Sequence, residues 1–204
     1  MAKSGSVIYN KVTLDRFVFR QTREDTGGEL LQFDDYHQPD GIGPMPHRHP
    51  LQEESFTVLN GTLAITVDGT EKVVEAGGKV VVPPNALHFW RNAGSDEMCL
   101  RTEFRPALHF EEIIETYACM SQIGKVKPNG DPDPLQFSAL MNAYPGEFYL
   151  GEMPMMLQRF LFGPFGYVLR RFLGFKPHLR FADLQDPDLG TPSSSNPSRS
   201  PPPA

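Results

Sequence analysis

The sequence predicts a mainly β protein, a small barrel or jelly roll followed by an α-helical appendage, and three observations predict it. Eighteen glycines and 20 prolines in 204 residues far exceed the roughly 12% of an average chain, which favours closely spaced turns. Between residues 7 and 105, short apolar runs alternate with turn dipeptides. After Pro106 the apolar period changes from two residues to that of a helix.

In the first part, Phe17 and Phe19 share a strand face between Arg16 and Arg20, and Leu31 and Phe33 continue in extended style. Then follow SFTVL, Asn60-Gly61, TLAITV, Asp68-Gly69, TEKVVE, Gly77-Gly78 and KVVV. Asn-Gly and Asp-Gly tolerate positive φ, so each is expected to reverse the chain between strands. A further strand pair, HFWR and MCLRTEF, is separated by Asn92-Ala93-Gly94. Strands so evenly spaced predict a closed antiparallel barrel over residues 5–106.

The appendage is expected over residues 107–181. Phe110, Ile113, Ile114 and Tyr117 recur at helical spacing, with Glu111, Glu112 and Glu115 expected on a solvated face. Asp133-Pro134-Leu135-Gln136 reads as a helix start, with Asp at the cap and Pro at the first helical position. Residues 154–174 read as two short apolar helices broken at Gly163-Pro164 and closed by Arg170, Arg171 and Gly174. This piece is expected to pack on the protein, while Arg159, Arg170 and Arg171 leave a membrane surface open as a second reading. Residues 186–204, rich in Pro and Ser, are expected to be disordered.

Composition excludes several functions. A net charge of −6 with no basic run argues against nucleic-acid binding. No stretch is apolar enough to predict a transmembrane helix. The start MAKSGSVIYN lacks the core of a signal peptide, so a cytoplasmic location is expected. Cys99 and Cys119 read as plain buried thiols.

The chemistry concentrates in Pro46-His47-Arg48-His49-Pro50. On a strand, His47 and His49 project from one face. Glu54 shares its face with Phe56 and Val58, where a carboxylate is costly unless a cation compensates. His88 follows the turn-like Pro83-Pro84-Asn85. Three neutral imidazoles and one carboxylate suit a divalent transition metal such as iron, manganese, nickel, copper or zinc. Four ligands would leave two octahedral positions for water or substrate. His37, His109 and His178 are expected at the surface or at caps, and Trp90 either walls the pocket or belongs to the core.

These residues resemble the cupin superfamily, in its single-domain, conserved-barrel form. The first cupin motif reads here Gly41, five residues, His47-Arg48-His49, four residues, Glu54, six residues, Gly61. The second reads Gly77, five residues, Pro83-Pro84-Asn85, two residues, His88, three residues, Asn92. Asn85 replaces the motif's glycine, and asparagine tolerates the same left-handed backbone. The resemblance implies a jelly-roll, or double-stranded β-helix, barrel over about residues 5–106, with His47, His49, Glu54 and His88 as metal ligands. It leaves the helices unexplained. It further implies an enzyme acting on a small-molecule substrate, an oxygenase type first, with Glu54 as a base if it leaves the metal. A non-redox isomerase, cyclase or decarboxylase and a non-catalytic binding protein remain alternatives, and a homodimer remains open.

Overall fold

A computed structural model describes residues 2–39, 41, 43–151 and 153–181. The expectation of a disordered tail at 186–204 lies outside the described residues. The chain runs β1 (Val7–Tyr9), β2 (Arg16–Gln21), β3 (Leu31–His37), β4 (His47–Arg48), β5 (Glu53–Asn60), β6 (Thr62–Val67), β7 (Thr70–Glu75), β8 (Lys79–Val82), β9 (His88–Asn92) and β10 (Met98–Arg105). Then come α1 (Phe110–Gln122), α2 (Pro134–Ala143), β11 (Tyr149–Leu150) and α3 (Met155–Phe172).

The barrel is two antiparallel sheets packed face to face rather than one closed ladder. One has the order β1-β2-β3-β10-β5-β8 and the other β11-β4-β9-β6-β7. Phe56, Val58, Val80 and Leu100 from the first meet Leu63, Ile65 and Trp90 from the second in a single core. Period-two alternation explains the sorting: Glu54, Phe56 and Val58 of β5 are buried on one face.

Only one of the expected reversals is a hairpin. Asp68 and Gly69, at φ 46° and 81°, join β6 to its neighbour β7 as a tight turn of positive φ requires. Asn60-Gly61, Gly77-Gly78 and Asn92-Ala93-Gly94 instead carry the chain from one sheet to the other, because β5 pairs with β8 and β10 while β6 pairs with β7 and β9. Gly61 sits at φ 85°, and a Cβ there would lie 2.9 Å from the Met98 Cα. A corner that tight excludes a side chain.

In the appendage, Asp133 caps α2 as expected, its side chain accepting the Gln136 N–H at 2.9 Å. Two expectations fail. Glu111, Glu112 and Glu115 are buried, not solvated. Residues 174–181 fold back over this face, where His178 Nε2 meets Glu115 at 3.0 Å and the Leu179 N–H reaches Thr116 at 3.2 Å. Glu111 accepts the Arg23 N–H at 3.0 Å. Burial raises the carboxyl pKa of both Glu111 and Glu112.

The second failure is the break at Gly163-Pro164. α3 runs through it as one helix. Proline removes only its own bond to the Phe160 carbonyl, and the Asn142 side chain separately ties the Gly163 carbonyl to α2 at 2.8 Å. α3 buries Gln158, Gly166 and Leu169 and leaves Met156, Phe160 and Phe172 exposed. No helix among the described residues is long and apolar enough to cross a membrane.

The appendage is also not wholly helical. Its β11 pairs with β4, Leu150 opposite His47. Phe110 and Ile114 of α1 pack against the β1-β2-β3-β10 face, while Ile113 turns to Leu140 and Met141 of α2.

Candidate metal centre

His47, His49, Glu54 and His88 converge, with one ligand atom from each lying within 4.8 Å of all the others. β4 and β9 are adjacent strands, and His47 pairs directly with His88. Glu54 reaches in from β5 in the other sheet, opposite Phe104 and Val82. Its neighbour Glu53 is only half-buried and faces away, as strand parity requires. All four residues are buried.

Hydrogen bonds fix which nitrogen of each ring points inward. The Nδ1 atoms of His47, His49 and His88 lie 2.8, 2.8 and 3.1 Å from the carbonyls of Met45, Glu147 and Ala86. A carbonyl only accepts, so each Nδ1 carries a proton and each ring turns its Nε2 toward the centre. Asn85 supports the same end of the barrel. At φ 67° it takes the left-handed backbone expected of it, and its N–H donates to the His49 carbonyl at 2.9 Å.

The inward atoms have no hydrogen-bond partner outside the cluster. His49 Nε2, His88 Nε2 and Glu54 Oε2 are buried and unsatisfied, each at a cost of about 1–3 kcal/mol. His88 Nε2 lies 2.7 Å from Glu54 Oε2, and His49 Nε2 lies 3.7 Å from the same oxygen. A lone pair facing a carboxylate that closely calls for positive charge between them. Burial pushes the His47 imidazole well below its ordinary pKa and His49 to about 4. At His88 burial acts in the same direction, but contact with Glu54 outweighs it and raises the pKa. Contact between His88 Nε2 and Glu54 Oε2 thus favours positive charge at this point of the cluster. This buried set of three histidines and one glutamate fits a divalent metal ion.

Aromatic rings enclose the cluster. Phe148 stacks on His47 with centroids 4.9 Å apart, and Phe110 meets His49 edge-on at 4.9 Å. Both rings also line a cavity of about 350 Å³ between the barrel and the helices. None of the four clustered residues lines it, so Phe110 and Phe148 form a partition between cavity and centre. Trp90 is both core and cavity wall.

One group in this region was missed in the sequence. His37, expected at the surface, is buried with Nδ1 2.7 Å from Asp15 and Nε2 2.8 Å from Asp35, and all three line the cavity. The available signal was Asp35-x-His37, the same i, i+2 spacing on an apolar strand as His47-x-His49. His109 does occupy the N-cap of α1, paired with Glu147 at 2.7 Å. Cys99 and Cys119 are buried and form no disulfide, and burial pushes the Cys99 thiol up to about 11.

The family model described as "Cupin domain" matches residues 37–102. The chain is 34% identical over 83 residues to oryzines biosynthesis cluster protein J of Aspergillus oryzae, covering 41% of each chain. It is 33% identical over 81 residues to germin-like protein subfamily T member 2 of Arabidopsis thaliana, 37% of this chain and 36% of that one. The match thus spans well under half the length of these curated relatives. Among solved structures, an RmlC-like cupin from Shewanella frigidimarina is 21% identical, with a TM-score of 0.43, over 52% of this chain and 89% of the other. With both histidine motifs present at full spacing and two antiparallel sheets around one core, residues 37–102 match the cupin domain.

Proposed function

We propose that the chain is a metal-dependent enzyme acting on a small organic molecule, with an oxygenase-type reaction at a mononuclear centre held by His47, His49, Glu54 and His88. The observation that carries this reading is the set of inward, unpartnered donors, His49 Nε2, His88 Nε2 and Glu54 Oε2, beside a cavity of substrate size. A bound redox-capable ion would supply Lewis acidity and electron transfer to oxygen.

The chain's own residues have separate tasks. The three Nδ1–H bonds hold the imidazoles in one tautomer and orientation. Phe110 and Phe148 keep bulk water from the centre. Glu54, buried and 2.7 Å from His88, is the carboxylate that would take a proton from a substrate once Phe110 and Phe148 move aside. The name of the Aspergillus relative, a biosynthesis cluster protein, supports a small organic substrate.

Elemental analysis of wild type and His49→Ala tests the centre: about one ion per chain is expected in the first and little in the second, and equal content sinks the assignment. Metal-free protein reloaded with iron or zinc, under air and under nitrogen, tests the reaction type. Zinc has no accessible redox change, so turnover with zinc in the absence of oxygen would replace the oxygenase reading by a non-redox isomerase, cyclase or decarboxylase.

A further inference from the structure

We propose that the cavity between β3 and the helices selects an organic ammonium ligand, its apolar body against the aromatic walls and its charged nitrogen against Asp15 and Asp35. The proposal deepens the reading of this cavity as the substrate site, but it requires neither a metal nor turnover.

Charge is the first argument. The cavity lining contains three carboxylates, Asp15, Asp35 and Asp131, one imidazole, His37, and no lysine or arginine. Even with His37 charged, the three carboxyl groups outnumber the one cationic side chain, and burial, which raises the Asp35 carboxyl pKa, is itself a cost that a cation at that carboxylate would relieve. An anionic ligand would enter against like charge in a poorly hydrated space, whereas a cation compensates the excess.

Hydrogen-bonding capacity is the second. Both ring nitrogens of His37 are spent, on Asp15 and Asp35. The Asp15 carboxylate also accepts the Thr13 hydroxyl, and Asp35 accepts the Thr102 hydroxyl at 2.8 Å. No donor in this group remains for a ligand, while carboxylate oxygens carry unused lone pairs. What the group offers the cavity is acceptors. A ligand bearing N–H donors and a positive charge satisfies both conditions.

The third argument is cost. Asp15, Asp35 and His37 are 7%, 2% and 5% exposed. Buried ion clusters are often no more stabilising than apolar residues of the same volume, so packing alone gives this one little reason to exist. Burial opposes a charged His37 ring, yet the two carboxylates lift its pKa to about 10. The ring therefore stays an imidazolium that holds the two acids together. The rest of the wall, including Phe17, Phe33, Ile113 and Phe137, suits a hydrocarbon or aromatic body, with ring faces that themselves attract cations.

The test measures equilibrium binding to the full-length protein, both metal-loaded and chelator-stripped, of three probes that share one body: 2-phenylethylamine, 2-phenylethanol and 3-phenylpropionate. The amine is expected to bind at least about tenfold more tightly than the carboxylate, with the alcohol between them, in both metal states. Asp35→Asn preserves shape and should cost the amine about tenfold while leaving the alcohol unchanged. If that variant does not fold, Asp131→Asn, half-exposed at the cavity wall, should still weaken the amine several-fold and spare the alcohol. Equal binding of amine and carboxylate, tighter binding of the carboxylate, or no saturable amine binding would overturn the proposal. Amine selectivity in a protein that fails the metal test would remove only the metal reading. Metal-dependent turnover without amine selectivity would remove only this one.

Discussion

His37 gives the residue scale its clearest consequence. Its folded pKa of about 10 lies above the ordinary 6.5, so its ion pairs stabilise the fold fully below pH 6.5. That contribution falls as pH rises from 6.5 toward about 10, where the folded ring also loses its proton. Melting curves should therefore show wild type exceeding His37→Gln by a margin that shrinks across this window. A constant margin would mean that the ring is held neutral. The same residue shows what the sequence left hidden. His47, His49, Glu54 and His88 were legible because strand parity and motif spacing define their geometry from a few neighbours. His37 takes its meaning from Asp15, 22 residues earlier and on no shared element, and only the folded chain brings them together. The acidic face of α1 misled for the same reason, since its cover comes from residues 174–181.

At the scale of elements, two contacts decide the packing. Gly166 is where α3 presses on α2: an added Cβ would overlap the Ser138 carbonyl oxygen, a backbone atom that cannot step aside. Gly166→Ala should destabilise the protein by about 1–3 kcal/mol, measured by denaturant unfolding, with metal content unchanged. The second contact is the Phe148 ring on His47. Phe148→Ala should open the partition, so a chelator should strip bound metal several-fold faster than from wild type, while occupancy at equilibrium changes little. Unchanged stripping kinetics would mean that the centre opens by another route. Strands and turns were legible here from alternation and from Asn-Gly, Asp-Gly and Gly-Gly pairs. Which turns close a hairpin was not, because a turn residue sets local φ and says nothing about which sheet the next strand joins. Gly163-Pro164 likewise marks a lost N–H, and whether a helix survives that loss depends on its packing against another element, here α2, which the local residues do not reveal.

Across the whole molecule, barrel and appendage share the proposed centre. The appendage supplies the Glu147 carbonyl to His49, the Phe148 ring to His47 and the β11 strand beside β4. It also covers Phe19, Leu31, Phe33 and Phe104 with α1. A chain ending at Pro106 should consequently lose solubility through the uncovered apolar face. If solubilised, it should bind metal more weakly than the full chain, by the roughly 10- to 100-fold typical of losing partners that orient a ligand. A truncated barrel that stays soluble and binds metal as the full chain does would show that the two parts are independent. The bond from His49 to Glu147 spans 98 residues of sequence, and that separation imposes an order on biogenesis. When His88 leaves the ribosome, all four donors exist but one imidazole still lacks the carbonyl that orients it. At about 5–20 residues per second, the missing piece arrives several seconds later, so a nascent chain would pass through an interval with its donors made and its seal absent. Metal acquired in that interval could exchange freely, and metal acquired after it would be retained.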